Sequence, residues 1–234
     1  MELIKPFPRY NPNQLWMYLV ALLLIGTGYL SILPPFEGFD ETAHFSRIRE
    51  TLHTGTLPQA NTSFIDRSIV EYSGPSHYGN GLPPFNLGNV YPTFFANPSN
   101  IERFALQYKN NPFNSTFEKS TVANWQAQHP PLYYALLSPL LGVIQNLSLV
   151  SQLFVIRLVS FILALIGVGL AVLAAQRNSL LSDSKITLQL GFVFYPLLAP
   201  MFFFEFARVG NDSLCLLIAG ALAYVLSISQ PYSI

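Results

Sequence analysis

Residues Leu15–Leu33 read LWMYLVALLLIGTGYLSIL, and the chain continues without a break as PPFEGFDETAHFSRIRETLHTGTL over Pro34–Leu57. The first run is close to the roughly twenty apolar residues that cross a bilayer core. It is too long for a secretory h-region, and its end, LPPFEG, carries no small-x-small cleavage site. The reading is a retained transmembrane helix over 15–33. Pro34 and Pro35 end it, because proline lacks a backbone donor and drives the preceding residue out of the α region. Lys5 and Arg9 in the short lead 1–14 place the N-terminus in the cytosol and the following loop outside. Trp16 and Tyr18 fall where aromatic side chains favour the membrane interface.

The segment beyond the prolines concentrates Glu37, Asp40, Glu41, His44, Arg47 and Arg49 within about four helical turns of sequence. Spacing over 39–52 predicts a short juxtamembrane amphipathic helix. Glu41, Phe45, Ile48 and Leu52 share one face, while Asp40, His44 and Arg47 recur at i, i+4 and i+7 on another. Two readings of that second face stand side by side: an acid, an imidazole and a guanidinium grouped for chemistry, or a solvated surface with side-chain pairs of structural value.

Composition agrees with a membrane setting. Apolar residues make up 51% and charged residues 10%, against about a quarter charged in a typical soluble domain. The formal net charge is zero and no basic run occurs, which removes support for nucleic-acid binding. Cys215 is the single cysteine, so no intramolecular disulfide forms, and its apolar neighbours mark it as a packing residue.

Residues 34–130 read as a long extracytoplasmic loop, too aromatic for plain disorder, folding as an irregular cap with short helices such as Asn100–Tyr108. Asp66, Arg67, Glu71 and His77 are cap residues able to join a site. Asn-x-Ser/Thr triplets at Asn61, Asn114, Asn146 and Asn211 carry no conclusion. His129-Pro130-Pro131-Leu132-Tyr133-Tyr134 then opens a transmembrane or re-entrant helix over 131–147, where proline in the first turn costs little. His129 lies at the interface beside two aromatics, either as part of an aromatic belt or as a functional imidazole.

A third span, 153–175, carries Arg157 near its start. An arginine in an apolar stretch must face the bundle interior, reach an interface or meet an anion. A fourth span, 186–204, is interrupted by Pro196 and Pro200. Glu205–Asp212 breaks the hydrophobicity before a fifth span, 213–229, and Asp212 falls in the first turn, where the helix dipole favours an acid. No phosphate-binding glycine loop, paired-cysteine motif, HExxH or GxSxG occurs. The expected fold is therefore an all-α integral membrane protein with about five apolar helices and a large, mostly irregular loop after the first.

The order of these features resembles the polytopic glycosyltransferases of the GT-C superfamily, and most closely a DUF2142-like group within it. The matching residues are Pro34-Pro35, Asp40-Glu41-x-x-His44-Phe45, His129-Pro130-Pro131-Leu132-Tyr133-Tyr134, Arg157-Leu158-Val159-Ser160 and Ala207-Arg208-Val209-Gly210-Asn211-Asp212. The resemblance implies a sugar donor on a polyprenyl phosphate arriving from the membrane lipid, with an acid of the first external loop at the acceptor site. By position that acid is Asp40, with Glu41 beside it. A positioned carboxylate makes chemical sense there, because an acceptor hydroxyl is a poor nucleophile until its proton is taken. Direct displacement would invert the anomeric centre. The leaving phosphate calls for a cation, which Arg157 or Arg208 can supply. His44, Arg47, His129 and Asp212 complete the expected substrate-binding set. A divalent cation remains open, since Asp40, Glu41 and His44 are competent ligands without a diagnostic spacing.

Relatives in the superfamily run through further helices, so the resemblance implies a piece of a longer protein that is inactive by itself. Crossing parity poses a conflict: four crossings put Glu205–Asp212 in the cytosol, whereas the resemblance wants Asp212 outside. Either the short 131–147 helix does not cross, an option favoured by the basic link at Arg177 and Lys185, or Asp212 is misassigned. The competing function is a non-catalytic membrane component of polysaccharide or glycolipid assembly or transport. A secondary transporter fits less well, because the ionisable groups gather at helix ends.

Overall fold

A computed structural model describes residues 12–56, 59, 62–76, 89–113, 116–179, 196, 199 and 201–229. Lys5, Arg9, Asn61, His77, Asn114, Lys185 and most of the expected fourth span lie outside those residues. Three described helices are long and apolar enough to cross a membrane: α1 (Pro12–Ile32), α7 (Leu149–Ser179) and α9 (Asp212–Ser229). Against an expectation of about five apolar helices, three of spanning length stand among the described residues. A short helix, α8 (Met201–Phe206), leads into α9.

The helix expected at 131–147 is shorter, α6 (Leu132–Ile144). Its 13 residues rise about 20 Å, well under the ~30 Å hydrocarbon core. It packs chiefly on α2 (Glu41–Thr54). Tyr134 near its start meets His44, and Gly142 near its end lies against Leu52, so the two helices run side by side in the same direction.

Helix directions follow from contacts. Arg157 on α7 reaches the end of α1 at Leu33, while Gly169 lies against Leu19, so α1 and α7 are antiparallel. Gly167 touches Leu216 and Gly220, and Arg177 reaches Ser227, so α7 and α9 run parallel. Gly167 and Gly220 let the two backbones meet closely, the small-residue device by which apolar helices associate when no hydrophobic force separates them from lipid. The end of α1, the Arg157 turn of α7 and the start of α9 therefore lie together. Asp40 and Asp212 share that end of the bundle, and α6 stands beside α2.

The described residues between α1 and α6 form more regular elements than an irregular loop. Strand β1 (Phe64–Asp66) is followed by α3 (Arg67–Val70), β2 (Pro75–Ser76), β3 (Asn89–Val90), α4 (Tyr91–Phe95), α5 (Pro98–Phe104) with a π-helical continuation over Ala105–Asn110, and β4 (Lys119–Ala123). β1 pairs antiparallel with β4, Phe64 opposite Ala123, and β2 pairs parallel with β3. One apolar core, including Phe36, Phe45, Ile48, Tyr72, Tyr134 and Leu153, joins this segment to α2, α6 and the start of α7. A second core, with Leu22, Leu30, Phe161, Phe202 and Phe203, fills the space among α1, α7 and α8.

Helix α2 departs most from its expected character. Every residue from Glu41 to Thr51 is buried, so neither face is solvated. Gly55 closes it at φ 65 with its N–H on the Thr51 carbonyl, a left-handed terminus that glycine adopts without a Cβ penalty. Burying so many charges demands partners. Arg49 pairs with Asp66 at 2.6 Å, Glu50 accepts from the Ser63 hydroxyl, and Ser46 accepts from the Asp66 N–H at 2.8 Å. Asp66 is thus a buried structural anchor, whereas Arg67 pairs with Glu118 at the surface and Glu71 is exposed.

Candidate functional site

The turn between α1 and α2 carries two non-glycine residues in the left-handed region, Phe36 at φ 65 and Asp40 at φ 55. Such conformations persist only where surroundings over-determine them. Asp40 has those surroundings. Its Oδ1 accepts from Trp125 Nε1 and its Oδ2 from Gln126 Nε2, each at 2.8 Å. The turn supplying these donors is fastened to α2 twice more, by Asn124 Nδ2 on the Ala43 carbonyl at 3.0 Å and by Arg47 on the Gln126 carbonyl. Asp40 itself stays half-buried.

Glu41, one residue on, faces elsewhere. Its Oε1 accepts from Arg157 Nε at 2.7 Å and from the Val209 N–H at 3.0 Å, and its Oε2 from Arg157 Nη2 at 2.5 Å. Arg157 also donates to the carbonyls of Leu33 and Pro34, at 2.6 and 2.7 Å, satisfying acceptors that the end of α1 leaves open. Both side chains are buried, at 0% and 3% exposure. The arginine that the sequence places inside an apolar helix thus meets a carboxylate, and the pair welds α1, α2, α7 and the stretch before α9. With both oxygens engaged and no exposed surface, Glu41 is placed as a strut, and Arg157 is already committed to it.

His44, Arg47, His129, Arg208 and Asp212 gather around Tyr134. His44 Nδ1 lies 2.8 Å from the Tyr134 hydroxyl, and the guanidinium of Arg47 sits over the Tyr134 ring, 4.0 Å from its centroid, in cation–π geometry. The His129 ring is 6.2 Å from His44, with its Nδ1 3.3 Å from Asn211 Nδ2. Arg208 donates to the Phe39 carbonyl at 2.5 Å, pairs with Glu205, and reaches Asp212 Oδ2 at 3.0 Å. Tyr133 braces the group from behind: its hydroxyl meets Ser160 Oγ at 2.7 Å and accepts from the Gly210 N–H at 3.0 Å. Arg47 Nε and Arg208 Nε have no partner among the described residues.

Burial, joined by the neighbouring charges of Arg208, His129 and Arg47, pushes His44 down to about 3. Its imidazole is therefore neutral at physiological pH. Among the described residues no three His, Cys, Asp or Glu side chains converge to hold a metal; Asp40, Glu41 and His44 turn to Trp125 and Gln126, to Arg157, and to Tyr134. The site also includes Tyr134, the end of the His129–Tyr134 motif, and Asn124, Trp125 and Gln126, which spacing alone did not single out. The nearest signal was the polar Asn-Trp-Gln triplet just ahead of His129.

The family model for predicted membrane proteins, DUF2142, matches residues 23–231. The chain belongs to the DUF2142 family. No curated protein and no solved structure matches this DUF2142 chain. The match spans every element of the site, from α1 to α9, and the long apolar helices agree with an integral membrane protein.

Proposed function

We propose that this DUF2142 chain forms the acceptor end of a multi-pass membrane glycosyltransferase, moving a sugar from a polyprenyl phosphate to an acceptor hydroxyl on the extracytoplasmic side. The observation that carries the reading is Asp40: a half-buried carboxylate in a left-handed turn, with one donor on each oxygen, next to a cationic group. A carboxylate so fixed is suited to proton abstraction, because its orientation is settled before substrate arrives.

In the step proposed, the acceptor O–H gives its proton to Asp40 as its oxygen bonds to the anomeric carbon from the face opposite the phosphate. The anomeric C–O bond breaks and its electron pair leaves with the phosphate, inverting the centre. Arg208 is the cation offered to that phosphate: it too is paired, with Glu205 and Asp212, but its Nε has no partner among the described residues, whereas Arg157 gives its Nε and both terminal nitrogens to Glu41 and the end of α1. His44, Arg47 and His129 shape the same end of the site.

The test uses the full chain, with whatever natural sequence accompanies it, in membranes supplied with polyprenyl-phosphate-linked radiolabelled sugar. Asp40→Asn is expected to lower transfer by about 10²–10⁴-fold, the range for a lost general base, with membrane insertion unchanged. Transfer at the wild-type rate in that variant refutes the assignment. Binding of the lipid-linked sugar without turnover by the wild type would support a non-catalytic assembly component instead.

A further inference from the structure

Trp125 holds Asp40 by the edge of its indole, yet the residue remains 39% exposed. The indole thus spends its N–H on the carboxylate while part of its apolar surface stays open to a second partner. The ring is anchored on both sides in sequence. Asn124 is bonded to Ala43, and Gln126 carries both the Asp40 contact and the carbonyl that Arg47 engages. Phe39, 64% exposed, stands on the other side of Asp40 in sequence, with its carbonyl held by Arg208. A fixed carboxylate thus has one exposed aromatic residue bonded to it and a second next to it in sequence.

From this arrangement we propose that Trp125 is the platform for the acceptor, and that the acceptor is a carbohydrate ring. The inference rests on the reading of Asp40 as the base. A pyranose offers hydroxyls along its rim and a patch of C–H groups on its face, so one rim hydroxyl reaches Asp40 while the C–H face lies on the indole. A lipid or aliphatic alcohol acceptor would have no use for a fixed flat ring beside the carboxylate. Trp125 therefore has two tasks through one ring: its edge orients the base, and its face orients the nucleophile. The rival occupant is the bilayer itself, since exposed tryptophan near the end of an apolar helix is also a membrane-interface anchor.

The experiment uses the chain in lipid nanodiscs with Trp16→Phe, leaving Trp125 as its single indole. Methyl glycosides of glucose, galactose and mannose are titrated against Trp125 emission, with sorbitol as the open-chain control. A saturable change with at least one pyranoside and none with sorbitol supports the platform. Asp40→Ala should weaken that response on the order of tenfold, the worth of one hydrogen bond to a charged group. Trp125→Phe, followed by glycoside protection of a label, should weaken binding by a similar factor while the chain stays folded. Absence of any pyranoside response, or quenching by brominated lipid comparable to that of a bilayer-buried indole, overturns the proposal. Glycoside binding without Asp40-dependent transfer would sink the transferase reading alone. Asp40-dependent transfer to an acceptor that contains no sugar ring would sink the platform alone.

Discussion

The Glu41–Arg157 pair makes a sharp test of which acid is structural. In Glu41→Gln the side chain keeps one acceptor oxygen, which in the place of Oε1 still serves both Val209 N–H and Arg157 Nε, but its new NH₂ then faces Arg157 Nη2, donor against donor. The guanidinium, 3% exposed, is left charged beside two carbonyls and no carboxylate. Breaking a buried pair from one side costs about 3–5 kcal/mol, a large share of a typical 5–15 kcal/mol of folding stability. Because the pair joins four elements, the loss should appear as global destabilisation. Asp40→Asn should cost about 1 kcal/mol, since Asp40 is half-buried and one of its two donors keeps its acceptor. Reversible unfolding of the purified chain in mixed micelles measures both. Adding Arg157→Met to Glu41→Leu removes both charges and should recover much of the loss, giving a large coupling energy in the double-mutant cycle. A Glu41→Gln variant as stable as wild type, or less damaged than Asp40→Asn, would refute the strut.

Two further predictions concern protonation and helix packing. His44 has an ordinary value of 6.5 and is held near 3 in the fold; the unfolded chain binds the proton first, so stability is full above about pH 6.5 and falls as pH drops toward 3. The loss by pH 5 should be about 2 kcal/mol, measured as unfolding midpoints against pH, and His44→Gln should flatten that slope; an unchanged slope would contradict the buried neutral imidazole. A Cβ on Gly220 would lie 2.1 Å from the Gly167 carbonyl oxygen, whereas one on Gly28 meets nothing within 4 Å. Gly220→Val should therefore destabilise the chain by more than about 2 kcal/mol, while Gly28→Ala stabilises it slightly; equal effects in thermal melts would disprove the close α7–α9 approach.

Local pattern alone determined a good deal of this protein. Hydropathy and length marked α1, α7 and α9, because the requirement for about twenty apolar residues is written directly in sequence. Pro34-Pro35 marked the end of α1, the acid at Asp212 marked the start of α9, and the Asp40–His44–Arg47 spacing drew attention to the segment that all later contacts involve. What sequence did not decide was who meets whom. Asp40 and Glu41 are adjacent acids with the same chemistry, and only the fold turns one toward Trp125 and Gln126, residues 85 and 86 positions away, and the other toward Arg157, 116 positions away. Likewise α6 is apolar enough to read as a span, yet its 13 residues lie along α2, which brings Asp212 to the same end as Asp40. The physical reason is common to both cases: periodicity reports the face a residue occupies, whereas a buried charge is settled by the partner that compensates its desolvation, and that partner is chosen by the packing of distant elements. The opening stretch thus fixed where the polar groups would stand, and the tertiary structure divided them into a strut and a half-open carboxylate.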